Sequence, residues 1–165
     1  MIFVTVGTHE QQFDRLLKEI DRLAETGIIR DEVLMQSGYC TCEIRHCETR
    51  QWIPYDEMIR LVQQSDIVIT HGGPSSFMLP LSMGKIPIVV PRRKQYNEHV
   101  NDHQFDFCHE VENQYGNIIV VDEVENLQDV ILNYSRVADT KKNNLNSNNM
   151  QFNERFREIL IEMMN

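Results

Sequence analysis

The sequence predicts an α/β fold: a Rossmann-like parallel sheet with helices on both faces. Short runs of apolar, β-branched residues alternate along the chain with segments whose apolar residues recur at helical spacing. The runs I-P-I-V-V (86–90) and N-I-I-V-V (117–121) are almost wholly apolar, as expected for strands that are buried on two sides. Alternating strands and helices of this kind indicate a parallel sheet covered by helices.

Each element can be justified in chain order. The first strand is predicted at residues 2–6 (I-F-V-T-V), where Gly7-Thr8 ends it, and apolar positions from Phe13 to Ala24 predict the first helix. The same criteria predict the remaining elements: strands at 33–35 and 42–44 with a turn at Ser37-Gly38, a helix at 55–62, a strand at 66–70, a helix at 77–83, a strand at 86–90, a helix near 99–113, a strand at 118–121 and a helix at 124–132.

The length of 165 residues suits one domain with a core of its own. We predict that this domain spans residues 1–140, followed by a polar linker at 141–150 and an amphipathic C-terminal helix at 151–165. An apolar stripe at helical spacing defines that helix: Phe152, Phe156, Ile159, Leu160 and Met163. We expect the stripe to pack against its own domain, and the alternative is docking onto a partner chain.

Composition and charge narrow the class of protein. The net charge of -9 disfavours nucleic acid as a partner, because nucleic-acid binding requires a positive surface. The longest apolar runs have five or six residues, and the chain enters Ile2 without a basic leader, so we expect a cytoplasmic protein. The spacing of Cys40, Cys42 and Cys47 fits known zinc sites poorly, and reduced thiols are the favoured interpretation.

A glycine-rich turn, T-H-G-G-P-S-S at residues 70–76, follows the predicted strand at 66–70. Ligands of open parallel sheets bind beyond the carboxyl ends of the strands. Because proline is tolerated in the first turn of a helix, Pro80 predicts that the next helix begins between Ser75 and Phe77. The amides of Gly73, Ser75, Ser76 and Phe77 would then lack helical acceptors and could bind an anion. The simpler alternative is a turn with a serine N-cap.

Two further segments are predicted at the same edge of the sheet. Gly7-Thr8-His9-Glu10 follows the first strand, where Thr8 could cap a helix or touch a ligand and His9 with Glu10 could form an acid–base pair. A single glycine does not make a dinucleotide fingerprint, so a dinucleotide cofactor is disfavoured. Three consecutive cations, residues 92–94, follow the strand at 86–90 and would lie beside the anion-binding turn, unless this is only a solvated loop.

Four segments in this order carry a resemblance: V-T-V-G-T-H, S-D-I-V-I-T-H-G-G-P-S-S, G-K-I-P-I-V-V-P-R and N-E-H-V-N-D-H-Q. Together they resemble the C-terminal, donor-binding half of a family 28 glycosyltransferase over roughly residues 1–135. The chain is most similar to small single-domain members. These are the bacterial capsule and exopolysaccharide β-1,4-galactosyltransferase subunits and the catalytic subunit of the eukaryotic two-subunit UDP-N-acetylglucosamine transferase.

The resemblance implies half of a GT-B fold and a set of site residues. It implies that the donor is bound by Gly7, Thr8, Gly72, Gly73, Ser75, Ser76, Asn97, Glu98, His99, Asn101 and Gln104. Their position at the same edge of the sheet adds His71, Arg92 and Gln95 to the expected donor-binding residues. The catalytic base is either His9 or a residue of the partner. Many relatives have a ribose-binding glutamate at the position of Leu79, five residues before Gly84. Ribose recognition here should therefore differ or involve another residue such as Glu98.

The resemblance also implies a reaction and partners. The expected reaction is inverting transfer of a hexose, galactose in our prediction, from a UDP-sugar to a lipid-diphosphate-linked sugar in capsule or exopolysaccharide synthesis. A membrane-anchored subunit would supply the acceptor side and recruit the chain to the inner face of the membrane. No D-x-D motif is present, so no metal is expected. The alternatives are UDP-GlcNAc as donor and a non-catalytic subunit that binds a nucleotide or a partner; a UDP-sugar epimerase would need a longer chain.

Overall fold

Six parallel strands form one sheet in the computed structural model, which describes residues 1–142 and 145. The spatial order is β3-β2-β1-β4-β5-β6, so the first strand lies inside the sheet. The strands are β1 (Ile2–Thr5), β2 (Val33–Gln36), β3 (Glu48–Arg50), β4 (Ile67–His71), β5 (Ile88–Val90) and β6 (Ile119–Val120). The predicted Rossmann-like parallel sheet is confirmed.

Helices connect the strands and cover both faces of the sheet. They are α1 (Asp14–Glu25), α2 (Tyr55–Gln64), α3 (Pro74–Ser82), α4 (His103–Tyr115) and α5 (Leu127–Leu132), with single 3₁₀ turns at Lys94–Tyr96 and Val124–Asn126. Side chains of a strand point alternately to opposite faces. Accordingly Phe3 packs in a cluster with residues of α2 and α3, whereas Ile2 and Val4 belong to the core that includes α1.

One predicted strand was wrong. The structure has a loop at residues 42–44 and places β3 six residues later, at Glu48–Arg50. Carboxylates of α1 bind the backbone of this loop: Asp14 accepts from the Thr41 amide at 3.0 Å, and Asp21 accepts from the His46 amide at 2.8 Å. Amides that are bound by side chains are not available to a strand ladder.

The start of α3 also differs from the expectation. The helix begins at Pro74, and Pro80 lies inside it as the seventh residue. Pro74 therefore occupies the first helical position, where proline costs no hydrogen bond, and Pro80 does not mark the helix start. Likewise α4 begins at His103, and residues 97–102 form a loop with Asn97 in the left-handed region (φ 57°).

The predicted division after residue 140 falls within a helical segment. Residues 134–142 are helical, as is the buried Leu145. The rest of the predicted linker, and the predicted amphipathic helix at 151–165, lie outside the described residues. Within residues 1–142 and 145, the structure contains no helix with the length and apolar character that a membrane span requires.

Candidate functional site

A cleft of about 680 Å³ opens at the carboxyl ends of β1, β2 and β4. Both of the turns singled out from the sequence contribute to its walls. Its lining residues are Thr5, Gly7, Thr8, His9, Glu10, Gln36, Ile53, Tyr55, Met58, His71, Ser75, Ser76, Leu79 and Gln104. The structure therefore brings together residues that lie almost one hundred positions apart in the chain.

The His71 imidazole occupies the space between the two turns. A Cβ atom on Gly7 would overlap Nε2 of this ring, and a Cβ atom on Gly73 would overlap its Cε1 atom. Gly7 also has a φ of +72°, a conformation that favours glycine. These two glycines are thus explained by the ring that they enclose, which lies at the end of β4 and is buried.

The hydrogen bonds of His71 define its tautomer. The Gly73 amide donates to Nδ1 at 3.0 Å, so Nδ1 carries no proton and the neutral ring is protonated on Nε2. Nε2 lies 2.6 Å from the Ser76 hydroxyl oxygen and donates to it. Burial, with the positive charge of Arg92, lowers the pKa of His71 to about 3, so the ring is neutral at physiological pH.

This arrangement leaves specific donors at the cleft. Ser76 accepts from His71, so its own hydroxyl hydrogen is available to a ligand. Ser75 is the second residue of α3 and its amide lacks an acceptor within the helix. The positive end of the α3 dipole lies at the same place, and the combination favours an anion such as a phosphate.

The set of free amides is smaller than the sequence suggested. The Gly73 amide is bound by His71, and the Ser76 amide donates to the Gly73 carbonyl at 3.0 Å. Phe77 is the fourth residue of α3, from which a regular helical bond back to Gly73 is possible. The expectation that all four amides of this turn are available was therefore wrong, because the His71 ring binds the Gly73 amide and the earlier helix start gives the Ser76 amide an acceptor.

Arg92 does not have the role expected of it. Its side chain is 1% exposed and its guanidinium donates to four backbone carbonyls, those of Val6, Gln11, Gln12 and Glu98, at 2.8 to 3.1 Å. It also lies over the Phe13 ring, 4.9 Å from the centroid. A guanidinium that is buried and occupied in this way is not free to bind a phosphate, so Arg92 holds the loops together.

Glu98 is likewise a structural residue. Its carboxylate is 1% exposed and accepts from the Arg15 guanidinium at 2.8 Å and from the Arg93 amide at 3.0 Å. Burial raises the pKa of this carboxyl, and Arg15 opposes the rise. Glu98 does not line the cleft, so the geometry does not fit the suggested contact with ribose. Leu79 does line it, and an apolar side chain therefore occupies the position of the relatives' glutamate.

Of the other residues expected from the loop after β5, only His99 and Gln104 line a concavity beside the glycine turn. A second concavity of about 540 Å³ is lined by Gly72, Gly73, His99 and the first residues of α4. Gln104 lines both concavities, and its Oε1 accepts from the Arg92 amide at 3.2 Å. Asn101 accepts from the His103 amide at the start of α4, while Gln95 and Asn97 are exposed and line neither concavity.

His9 projects into the cleft from the first turn, and its neighbours orient it. Its Nε2 lies 2.9 Å from Gln11 Oε1, and its ring stacks on His99 with centroids 4.8 Å apart. Because Gln11 Oε1 can only accept, neutral His9 carries its proton on Nε2 and presents the Nδ1 lone pair. The sequence suggested Glu10 as the partner of His9, but the structure shows Gln11 in that role.

Several lining residues were missed by sequence reasoning. Thr5 and Gln36 meet in the floor, where the Thr5 hydroxyl donates to Gln36 Oε1 at 2.6 Å. Ile53 lies just before α2, Tyr55 and Met58 belong to its first turn, and Tyr55 is 68% exposed. In the sequence, these residues could have been recognised by their position at strand or helix ends on the carboxyl side of the predicted sheet.

The cysteines are not part of the cleft, and all four are free. Burial raises the pKa of their thiols, to about 11 for Cys42 and about 12 for Cys40, Cys47 and Cys108. Such thiols are protonated and unreactive at neutral pH. In the described part of the chain, no group of three or more His, Cys, Asp or Glu side chains is placed to hold a metal ion.

A Rossmann-like parallel sheet with a cleft at the carboxyl ends of its strands defines the class of open α/β domains, whose ligands bind at that edge. The model of the glycosyltransferase family 28 C-terminal domain matches residues 1–163. The chain therefore belongs to the glycosyltransferase family 28 C-terminal domain family. No curated protein sequence matches the chain.

Solved structures support the fold. The chain is similar to the glycosyltransferase of kitacinnamycin (TM-score 0.68, 16% identity), with 93% of this chain and 39% of that one covered. It is also similar to CalG4, the calicheamicin glycosyltransferase (TM-score 0.58, 13% identity), with 98% of this chain and 43% of that one covered. A third match is the glycosyltransferase SnogD from Streptomyces nogalater (TM-score 0.51, 18% identity), with 88% of this chain and 39% of that one covered. The chain thus spans about two fifths of the length of these enzymes.

Proposed function

We propose that this chain is the donor-binding half of an inverting, UDP-sugar-dependent glycosyltransferase. The observation that carries the proposal is the His71–Ser76 pair at the N-terminus of α3, 2.6 Å apart in a cleft at the carboxyl edge of the sheet. A neutral, buried histidine there fixes a serine hydroxyl as a donor beside a helix dipole. That arrangement fits the diphosphate of a nucleotide-sugar.

In this proposal the turn stabilises the leaving group. As the acceptor hydroxyl oxygen attacks the anomeric carbon, the bond from that carbon to the UDP oxygen breaks and negative charge develops on the diphosphate. The Ser76 hydroxyl, the Ser75 amide and the dipole of α3 stabilise this charge without a metal ion. His9 takes the proton of the acceptor hydroxyl on Nδ1. The orientation of His9 by Gln11 and His99 supports this role.

The acceptor side belongs to a second component in this proposal. We propose that a membrane-anchored subunit supplies it, recruits the chain to the inner face of the membrane and presents a lipid-diphosphate-linked sugar during capsule or exopolysaccharide synthesis. Galactose is the proposed hexose, with UDP-GlcNAc as the alternative donor. The open cleft, whose exposed rim includes Thr8, Glu10 and Tyr55, leaves room for such a component to close over the donor.

The test has two arms. Titration of the full chain with UDP, measured by calorimetry, should give saturable binding that is lost in a Ser75→Ala, Ser76→Ala double variant and kept in Ser82→Ala. Ser82 is exposed on the same helix and its hydroxyl donates to the Leu79 carbonyl, so it controls for changes to α3. Co-expression with the product of the neighbouring gene, with UDP-galactose and UDP-GlcNAc offered separately, then tests transfer. UDP binding without transfer of either sugar would favour a non-catalytic binding subunit, and unchanged UDP binding in the double variant would contradict the site.

A further inference from the structure

An apolar groove of about 370 Å³ runs between α3 and α4, away from the donor cleft. Phe77 and Met78 of α3 and Phe107, Val111 and Tyr115 of α4 line it. Phe107 and Tyr115 are 39% and 40% exposed, and with the neighbouring apolar residues they form a contiguous apolar surface of the kind that marks interaction sites. No described residue covers the groove.

We propose that this groove binds the chain's own C-terminal segment, residues 152–163. This segment carries five apolar residues at helical spacing, Phe152, Phe156, Ile159, Leu160 and Met163. An amphipathic segment of this kind in a groove between two helices is a common form of recognition. The inference does not depend on the proposed transferase activity, since the groove is separate from the donor cleft.

The path of the chain supports this occupant. Lys141 Nζ lies 3.2 Å from Glu112 Oε1, so the helical segment at 134–142 reaches α4 next to Val111. Leu145 is also buried in the main core. The seven residues from Leu145 to Phe152 can span up to about 23 Å when extended. Since α4 has 13 residues, its whole length is about 20 Å, so the groove is within reach.

An unpartnered polar atom in the groove is a second, independent observation. The side-chain oxygen of Asn117 lines the groove, is buried and accepts no hydrogen bond within the described part of the chain. A buried acceptor without a donor is costly and calls for a partner. Asn153 and the two arginines Arg155 and Arg157 of the segment are donors that lie among its apolar residues.

Charge also favours the C-terminal segment. The exposed Glu110 lies at the edge of the groove, and Asp106 is one turn before it on α4. Arg155 and Arg157 flank the apolar stripe in the helical pattern and would bring opposite charge to this edge, whereas Glu154 and Glu158 fall on the side away from the stripe. The groove ends at Pro74, the first residue of α3, so a docked segment would support the helix that carries Ser75 and Ser76.

Photo-crosslinking in the full chain tests the proposal directly. A benzoyl-phenylalanine at position 156, in an equal mixture of isotopically light and heavy protein, should crosslink to peptides of α3 or α4 within the same chain. The matched control has the same probe at position 158, which lies about 200° around a helix from position 156 and should give few such products. Light–heavy products would show that a second copy fills the groove and would overturn the proposal. Products elsewhere in the chain, or none, would also overturn it.

Hydrogen exchange gives a second, quantitative readout. In the full chain, amides of residues 152–163 should exchange at least about 10-fold more slowly than an unstructured peptide, because docking protects them. The protection should disappear in Phe107→Glu, which changes a partly exposed groove residue, and persist in Tyr39→Glu, which changes an aromatic residue 46% exposed elsewhere. A segment that exchanges at the unprotected rate in the unmodified chain, or stays protected in Phe107→Glu, would contradict the inference.

Discussion

The hydroxyl oxygen of Ser76 lies 2.6 Å from Nε2 of His71, and the Gly73 amide occupies the other nitrogen of the same ring. The buried histidine therefore determines the direction in which the Ser76 hydroxyl can donate. Ser75, the preceding residue, is exposed, and its side chain lacks such a support among the hydrogen bonds of this turn. The two neighbouring serines are thus not equivalent.

The first prediction separates these serines. Ser76→Ala should weaken UDP binding by about 10-fold or more, because a hydrogen bond to a charged group contributes about 1.5–3 kcal/mol. Ser75→Ala should have a smaller effect, since its amide remains. Calorimetric titration of both variants measures the difference in Kd, and equal losses would mean that His71 does not orient Ser76 for the ligand.

The second prediction concerns Gly73. Gly73→Ala should lower the free energy of unfolding by about 1–3 kcal/mol, the usual cost of overpacking, because the new methyl group overlaps the His71 ring. The φ and ψ of Gly73 are -72° and 130°, so the cost should be steric and not due to the backbone. Urea denaturation of Gly73→Ala in a His71→Ala background is the control. If the penalty is the same in both backgrounds, the clash with His71 is not its cause.

The third prediction concerns the buried guanidinium of Arg92. Arg92→Met should lower the free energy of unfolding by roughly 3 kcal/mol or more, because buried carbonyls lose their donors. Lys94→Met, which removes an exposed cation from the same run, should change it by less than about 0.5 kcal/mol. Urea denaturation measures both. An Arg92→Met protein of unchanged stability that fails to bind UDP would instead support a direct contact with the donor.

The fourth prediction is a pH dependence. The folded-state pKa of His71, about 3, is below its unfolded value of about 6.5, so only the unfolded chain takes up this proton between those limits. Stability from this residue is complete above pH 6.5 and falls as the pH drops towards 3, with a slope of up to about 1.4 kcal/mol per pH unit. His71→Gln removes this contribution, so its denaturation midpoint should fall less steeply between pH 6.5 and 4.5. Parallel curves for the two proteins would refute the assignment.

The fifth prediction tests His9 as the proposed base. In the complex with its partner, His9→Gln should lower kcat for sugar transfer by about 100-fold or more, as is usual for loss of a general base. The Kd for UDP should change little, since the diphosphate contacts come from α3. His99→Gln keeps the Gln11 bond to His9 and loses the stacked ring, together with the acceptor of the Asn101 amide, so it should lower kcat less. A loss of UDP affinity equal to the loss of kcat would place His9 among the donor-binding residues.

Sequence reasoning predicted the fold and the edge of the sheet at which a cleft lies. Alternation of strands and helices predicted the parallel sheet, and the glycine-rich turn at 70–76 was placed at a strand end where the cleft does lie. The predicted strand at 42–44 was wrong, because side chains bind the backbone around it in place of a neighbouring strand. The loop at 42–44 is held by Asp14 and Asp21 of α1, which no local pattern reveals.

The charged residues were the hardest to interpret from the sequence. The run of cations at 92–94 suggested a positive surface, yet Arg92 points inward to four carbonyls and Glu98 pairs with Arg15. Local sequence does not distinguish a solvated arginine from a buried one, because three of the four acceptors of Arg92 lie 80 to 86 residues earlier in the chain. The role of His71 was missed in part for the same reason, since Gly7 encloses it from another element.

The central position of β1 has a consequence for synthesis of the protein. β1 is made early, but one of its two neighbours in the sheet, β4, follows about 60 residues later in the chain, and Arg92 and Gln104 follow that. At 5–20 residues per second, the ribosome takes several seconds to complete this part. A nascent chain that is shorter than about 105 residues therefore contains the turn after β1 but lacks Gln104, which lines the completed cleft. The cleft is therefore complete only after most of the described chain has been made.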